Sequence, residues 1–270
     1  MFVIKGKKAL CEFIGSFFFI LTINLSVVYA GAFAPIAIGF MLMAQVFAFG
    51  YISGAHFNPA VTLGVVLVGQ LKLKRASFYV LAQTLGGIAA GLLSILLIGD
   101  EDMLTFQPPQ PVADANGKFG GTEIGRAFLS ELIFTCCLVT VVLHVACSRQ
   151  RNNNHYGLAI GMTVMSSAFS VGKISGGGFN PAVSTGLLIG KCIGGSNDGV
   201  ADSCQPMRFL WLYWLAPFIG SVLASGMFLV VHAMESEEGH IYEDELNKEL
   251  SDHANAMDNV NPVRASTYGF

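Results

Sequence analysis

The sequence predicts an all-α membrane protein: six transmembrane helices and two half-helices, arranged as an inverted repeat. Three observations predict it. Charged residues make up only 12% of 270 positions and hydrophobic ones 53%, with a mean hydropathy of +0.59. A soluble domain carries about 25% charge, and half that density cannot cover a water-facing surface. Six apolar stretches approach the ~20 residues that a bilayer crossing takes. Two further apolar pieces, too short to cross, each open on the tripeptide Asn-Pro-Ala. The composition excludes disordered and collagen-like chains, and the net charge of −3 excludes a nucleic-acid partner. Thirty-one glycines suit close packing of membrane helices.

The six spans run over about 9–29, 35–50, 77–98, 124–146, 157–171 and 207–232. Lys5, Lys7 and Lys8 precede the first span. Lys72, Lys74 and Arg75 lie between spans two and three, and Arg149 and Arg151 between four and five. All eight fall on one side of the membrane. The opposite loop, 99–121, holds Asp100, Glu101, Asp102 and Asp114 against one lysine. The positive-inside rule therefore puts both termini in the cytoplasm. Residues 234–270 read as a solvated acidic tail. It holds nine acidic and two basic residues, a net of −7, against +4 for residues 1–234.

The short pieces carry the functional signal. The first is led by Ser53-Gly-Ala-His-Phe-Asn-Pro-Ala-Val-Thr62, the second by Ser175-Gly-Gly-Gly-Phe-Asn-Pro-Ala-Val-Ser184. The repeat is wider still. Ala9-Leu-Cys-Glu12 echoes Phe128-Leu-Ser-Glu131, and the glutamates precede their asparagines by 46 and 49 residues. The chain thus divides into repeats 1–112 and 113–233, each with three spans and one half-helix, at 58–68 and 180–190. Three is odd, so the second repeat is inverted relative to the first. That arrangement places a functional site at the bilayer midplane.

Asn is a strong N-cap and Pro is favoured at the first helical position, so Asn58-Pro59-Ala60 and Asn180-Pro181-Ala182 each start a helix. About ten residues give ~15 Å, half a hydrocarbon core. Two N-termini then meet mid-membrane, each contributing about +0.5 charge. Such a field repels cations and hydronium. The amide NH₂ groups of Asn58 and Asn180 are placed to donate to a passing water, orienting it so that a proton wire is broken. His56 either lines the cytoplasmic half of this pore or braces the loop. Cys192 and Cys204 share the outer side, either as a disulfide or as two thiols. Nothing in the pattern requires a metal or a cofactor, and no catalytic pair at depth points to an enzyme. A secondary transporter, also built on inverted repeats, is the alternative. It would need intramembrane charges, of which Glu12 and Glu131 are the clear ones.

The stretch from Ile52 to Gly64 and span six, with Tyr213-Trp214-Leu-Ala-Pro217-Phe-Ile-Gly220, resemble the aquaporin (major intrinsic protein) family. The resemblance covers about 9–233. It implies a homotetramer in membrane lipid, with one pore per subunit passing water or small neutral solutes. It also implies that Glu12 and Glu131 hold the half-helix loops. Matching the family's constriction places Ile38, Ala168, Gly177 and Val183 in the filter. Most relatives carry an Arg where this chain has Val183; plant vacuolar-membrane aquaporins share the Val. The filter therefore reads as wide and apolar, passing water with glycerol, urea, ammonia or hydrogen peroxide, in a plasma membrane or a vacuole-like organelle membrane. Lys173 lies on the outer side, seven residues before Asn180, as a cation near the mouth.

Overall fold

The computed structural model describes residues 2–99, 102, 106–113, 118–195 and 203–233, with no strand among them. Seven helices are α1 Phe2–Tyr29, α2 Ala34–Ser53, α3 Pro59–Leu67, α4 Leu73–Ile98, α5 Gly121–Ala146, α6 Tyr156–Ser175 and α7 Pro181–Gly194. A 3₁₀ turn at Gln205–Phe209 leads into α8, residues 210–228. These belong to one unit ending at Phe228. Of the second unit, Leu229–Phe270, residues 229–233 are described and helical. The predicted acidic tail, 234–270, lies outside the described residues.

Among the described residues six helices are long and apolar enough to cross a bilayer, as the hydropathy predicts, and the protein is an all-α membrane fold. The ends of the first five spans differ in one way. Helices run past the apolar stretch into polar or small residues, so α1 takes in Lys5, Lys7 and Lys8 and α4 takes in Lys74 and Arg75. Hydropathy marks where the chain tolerates lipid, whereas the helix continues until its backbone hydrogen bonds end. α2 and α6 stop at glycines in the left-handed region, Gly54 (φ 99°) and Gly176 (φ 84°), a common helix terminator. Of the two half-helices, α3 spans 9 residues and α7 spans 14, three to four longer than its expected end near 190.

The buried stripe of α2 is Ala34, Ile38, Leu42 and Val46, one residue per turn. Its outer face carries Phe40, Phe47 and Tyr51, which suits hydrocarbon rather than water. The packing follows the sequence repeat. α1 packs on α2 and α4, and α5 on α6; α2 crosses α6. Each half-helix is gripped by the other repeat's last span. α4 packs on α7, while Ser221 and Ser225 of α8 donate to the carbonyls of Ala60 (2.7 Å) and Gly64 (3.4 Å) on α3. On the α4 side glycines take the place of those serines. A Cβ on Gly87 would stand 2.5 Å from the Ala182 carbonyl oxygen, and one on Gly91 only 2.1 Å from that of Gly186.

That spacing leaves no room for a methyl group. Gly91→Ala is expected to destabilise the folded protein by about 1–3 kcal/mol, the usual cost of overpacking. Gly125→Ala, where nothing lies within 4 Å, serves as the control. Thermal unfolding in detergent measures both; equal midpoints would show that the α4–α7 contact is not close-packed.

Candidate functional site

Each Asn-Pro-Ala starts its half-helix by the capping chemistry its residues favour. Asn58 is extended (φ −154°, ψ 121°) and its Oδ1 accepts from the Ala60 N–H at 2.8 Å. Asn180 is alike (φ −157°, ψ 113°), with Oδ1 accepting from Ala182 at 3.0 Å and Val183 at 3.4 Å. Pro59 and Pro181 fill the first helical position, where a missing N–H loses nothing.

The four residues ahead of each Asn form a tight turn. Ala55 (φ 50°), Phe57 (φ 48°) and Phe179 (φ 47°) are left-handed without being glycine, and Gly177 (φ 66°) occupies the place of Ala55. Each non-glycine residue in that region costs about 1–2 kcal/mol, so the surroundings must hold it. The two buried carboxylates do so. Glu12 accepts from the N–H groups of His56 (3.1 Å) and Phe57 (2.8 Å). Glu131 accepts from Gly178 (2.9 Å) and Phe179 (2.6 Å). The hydroxyls of Ser53 and Ser175 take the N–H groups of Ala55 (3.0 Å) and Gly177 (3.2 Å). Buried Tyr79 and Tyr213 donate to the carbonyls of the same two serines. A further donor reaches each carboxylate: Gln83 to Glu12 at 2.8 Å and Ser175 to Glu131 at 2.7 Å.

The two turns are also bonded to each other. Asn58 Nδ2 donates to the Phe179 carbonyl (2.9 Å), and Asn180 Nδ2 to the Phe57 carbonyl (2.8 Å). The sequence places both NH₂ groups to donate to a passing water, and the bonds between the turns are not visible in it. The structure uses one N–H of each to join the half-helix tips, which leaves one N–H per asparagine.

A cavity of about 20 Å³ lies at this junction, lined by His56, Asn58, Asn180, Phe19, Leu138 and Val164. That is room for about one water. His56 is both wall and brace: its Nδ1 stands 3.1 Å from Thr62 Oγ1 and its ring packs edge-on against Tyr79. A second cavity, about 760 Å³, shares Phe19, Val164 and Gly178 with the first. Its wall brings together Ile38, Ala168, Gly177 and Val183 from four separate elements, with Lys173 also on it. The structure joins Cys192, near the end of α7, to Cys204 as a disulfide. Among the described residues no group of three His, Cys, Asp or Glu side chains gathers around a metal-sized site.

Sequence reasoning missed the serine and tyrosine supports, although Ser53 and Ser175 open the repeated segments. It also missed residues 107–113, which line the outer cavity and carry no periodic pattern.

Two half-helices meeting tip to tip among six apolar spans, over a water-sized cavity, define a membrane channel. The family model described as "Major intrinsic protein" matches residues 3–228, and the chain belongs to that family. Nodulin-26 of Glycine max is 31% identical over 234 residues, covering 83% of this chain and 78% of its own. The glycerol uptake facilitator protein-like 6 of Lactiplantibacillus plantarum is 31% identical, covering 81% and 95%. The aquaglyceroporin of Plasmodium falciparum shares the fold at a TM-score of 0.66 with 19% identity, covering 83% of this chain and 95% of that one. The protein is accordingly an integral membrane channel of the kind that passes water or small solutes, not an enzyme.

Glu131→Gln replaces an acceptor-only group by one that turns an NH₂ toward the N–H donors of the second turn. Leaving a buried donor unmet costs about 1–3 kcal/mol. The variant should unfold at lower temperature and lose most water permeability per folded channel in stopped-flow vesicle shrinkage. Native permeability would refute the supporting role of the carboxylate.

Proposed function

We propose that this channel conducts water together with small neutral solutes, glycerol, urea, ammonia or hydrogen peroxide, and excludes protons and ions. The observation that carries the reading is the composition of the outer constriction. Ile38, Ala168, Gly177 and Val183 share one cavity wall and supply neither a charge nor a side-chain donor. A solute is then selected there by size rather than by a fixed cation, and its C–H edges meet apolar walls. Charge is rejected deeper. At the junction of α3 and α7 two helix N-termini repel cations, and the free N–H of each asparagine holds a water oxygen so that its hydrogens point away from the centre. Glu12 and Glu131 each accept three bonds from the loops and their supports. They are occupied as structural acceptors, which argues against the ion-coupled transporter alternative. The reading includes a homotetramer embedded in membrane lipid, with both termini cytoplasmic, in a plasma or vacuole-like membrane.

The test is swelling and shrinkage of liposomes holding purified protein, in separate gradients of glycerol, urea and an impermeant osmolyte. Water, glycerol and urea should all exceed empty liposomes, and proton leak should not. Val183→Arg restores the usual cation and should cut glycerol and urea flux about tenfold while water still passes, the effect of ~1.4 kcal/mol on the barrier. Absence of glycerol and urea flux in the native channel overturns the wide filter.

A further inference from the structure

The outer cavity has a wall that the family's constriction does not account for. Residues 107–113 lie between α4 and α5 and line the outer cavity. Pro108, Pro109 and Pro111 are buried in this strap, and each proline ring fixes its own φ near −65°. The strap is fastened beside the filter. Val112 N–H donates to the Ile174 carbonyl at 3.3 Å. Pro109 lies so close to Gly176 that a Cβ there would stand 2.5 Å from the proline Cα. Gly176 directly precedes Gly177, so the strap is seated against the turn that presents a filter residue.

Next to the prolines the strap holds two amides on the cavity wall, Gln107 just before Pro108 and Gln110 between Pro109 and Pro111. They are bonded to each other, Gln110 Nε2 donating to Gln107 Oε1 at 2.6 Å. By the inventory of an amide, that bond leaves both N–H groups of Gln107, one N–H of Gln110 and the Gln110 carbonyl. Three donors and an acceptor thus stand over a constriction whose four side chains offer no donor. A solute shedding its water before an apolar filter needs such partners in passing. The prolines stiffen the backbone that carries the pair, and the amide–amide bond orders the side chains, which lowers the ordering cost.

We propose that Gln107 and Gln110 form the polar selectivity layer of this channel. They recognise a small solute with several hydroxyl or amide hydrogen-bonding groups, such as glycerol or urea, one step outside the apolar filter. The inference rests on the wide-filter reading above. Selectivity here is divided: hydrogen bonding belongs to the strap, and size to Ile38, Ala168, Gly177 and Val183.

The test compares the native channel with the double variant Gln107→Met, Gln110→Met, which keeps side-chain length and removes the polar atoms. In liposomes, glycerol and 1,3-propanediol permeabilities are each divided by the water permeability of the same preparation. Loss of two to three transient hydrogen bonds should lower the glycerol ratio about fivefold. The 1,3-propanediol ratio, for a solute with one hydroxyl fewer, should fall less. A glycerol ratio within twofold of native overturns the proposal, and so does an equal fall for both solutes, which would mean a purely steric strap. If the double variant shows no water flux, the single variants Gln107→Met and Gln110→Met carry the same comparison with smaller expected falls. A native channel that passes no glycerol or urea overturns both this proposal and the wide filter. Native solute flux with unchanged ratios in the variants overturns the strap alone.

Discussion

Two stretches of non-helical backbone sit inside the bundle, away from lipid, so their polar groups must be met by protein or by the cavities they line. A bilayer admits irregular chain only where protein or a wet cavity takes up its polar groups. In both turns the N–H groups go to a glutamate on a neighbouring helix and to the serine that ends the preceding helix. A carboxylate suits the task because it accepts only, at two oxygens with about four lone-pair sites. One side chain can therefore take two adjacent N–H groups and still hold a third donor. With those bonds made, Ala55, Phe57 and Phe179 can stay left-handed. The carbonyls of Phe57 and Phe179 are then aimed at the opposite turn, where the asparagines meet them. The position of the pore centre thus depends on Glu12 and Glu131, which touch nothing that passes.

The two halves repeat this scheme with different chemistry. In the first, Gln83 donates to Glu12 and to Thr62 at 2.9 Å, so the turn, the half-helix and α4 share one network. Four residues after the corresponding tyrosine, Tyr213, the second half has Pro217, which has no donor to offer. Ser175 supplies the third bond to Glu131 instead. Ser184 stands where Thr62 stands, yet its hydroxyl is buried without a hydrogen-bond partner. Its oxygen lies 2.5 Å from where a Cβ of Gly178 would be, so glycine is required there for room. The glycines of α4 against α7 and the serines of α8 against α3 follow the same logic. One contact is made by bringing backbones together, the other by bridging them with hydroxyls.

What was legible in the sequence is what local rules govern. Hydropathy locates all six spans, and the capping preferences of Asn and Pro locate both half-helices within a residue at their starts. The roles of Glu12 and Glu131, by contrast, came from resemblance, because a lone glutamate in an apolar stretch does not say what it accepts from. The bonds from Asn58 and Asn180 were not legible at all. They join residues 121 and 123 apart, and only the inverted packing brings them together. The left-handed Ala55, Phe57 and Phe179 oppose local propensity and are held by tertiary bonds, so a local reading cannot find them. The apolar stretch that marks the second half-helix ends near 190, whereas α7 runs on to Gly194, and Lys191, just past that end, is buried in the fold. Gln107 and Gln110 lie in a segment with no period, and their relation to the filter depends on Pro109 meeting Gly176.

The two cavities differ in volume by more than an order of magnitude, and on the proposed reading this bears on the Val183 that stands where the family resemblance would put an arginine. An ion entering the outer cavity can keep much of its hydration. At the asparagines, space for about one water remains, so an ion would have to shed its shell there. The loss is severe in a low-dielectric interior, and for a cation it coincides with two helix N-termini of the same sign. On the proposed reading, ion exclusion is already complete at the midplane, and a cation in the filter would add little to it. A filter arginine would then act mainly by narrowing the mouth and supplying donors. Val183 removes both effects together, so any discrimination among neutral solutes passes to whatever polar groups remain on the wall. Besides the exposed Lys173, those include the amides of the strap.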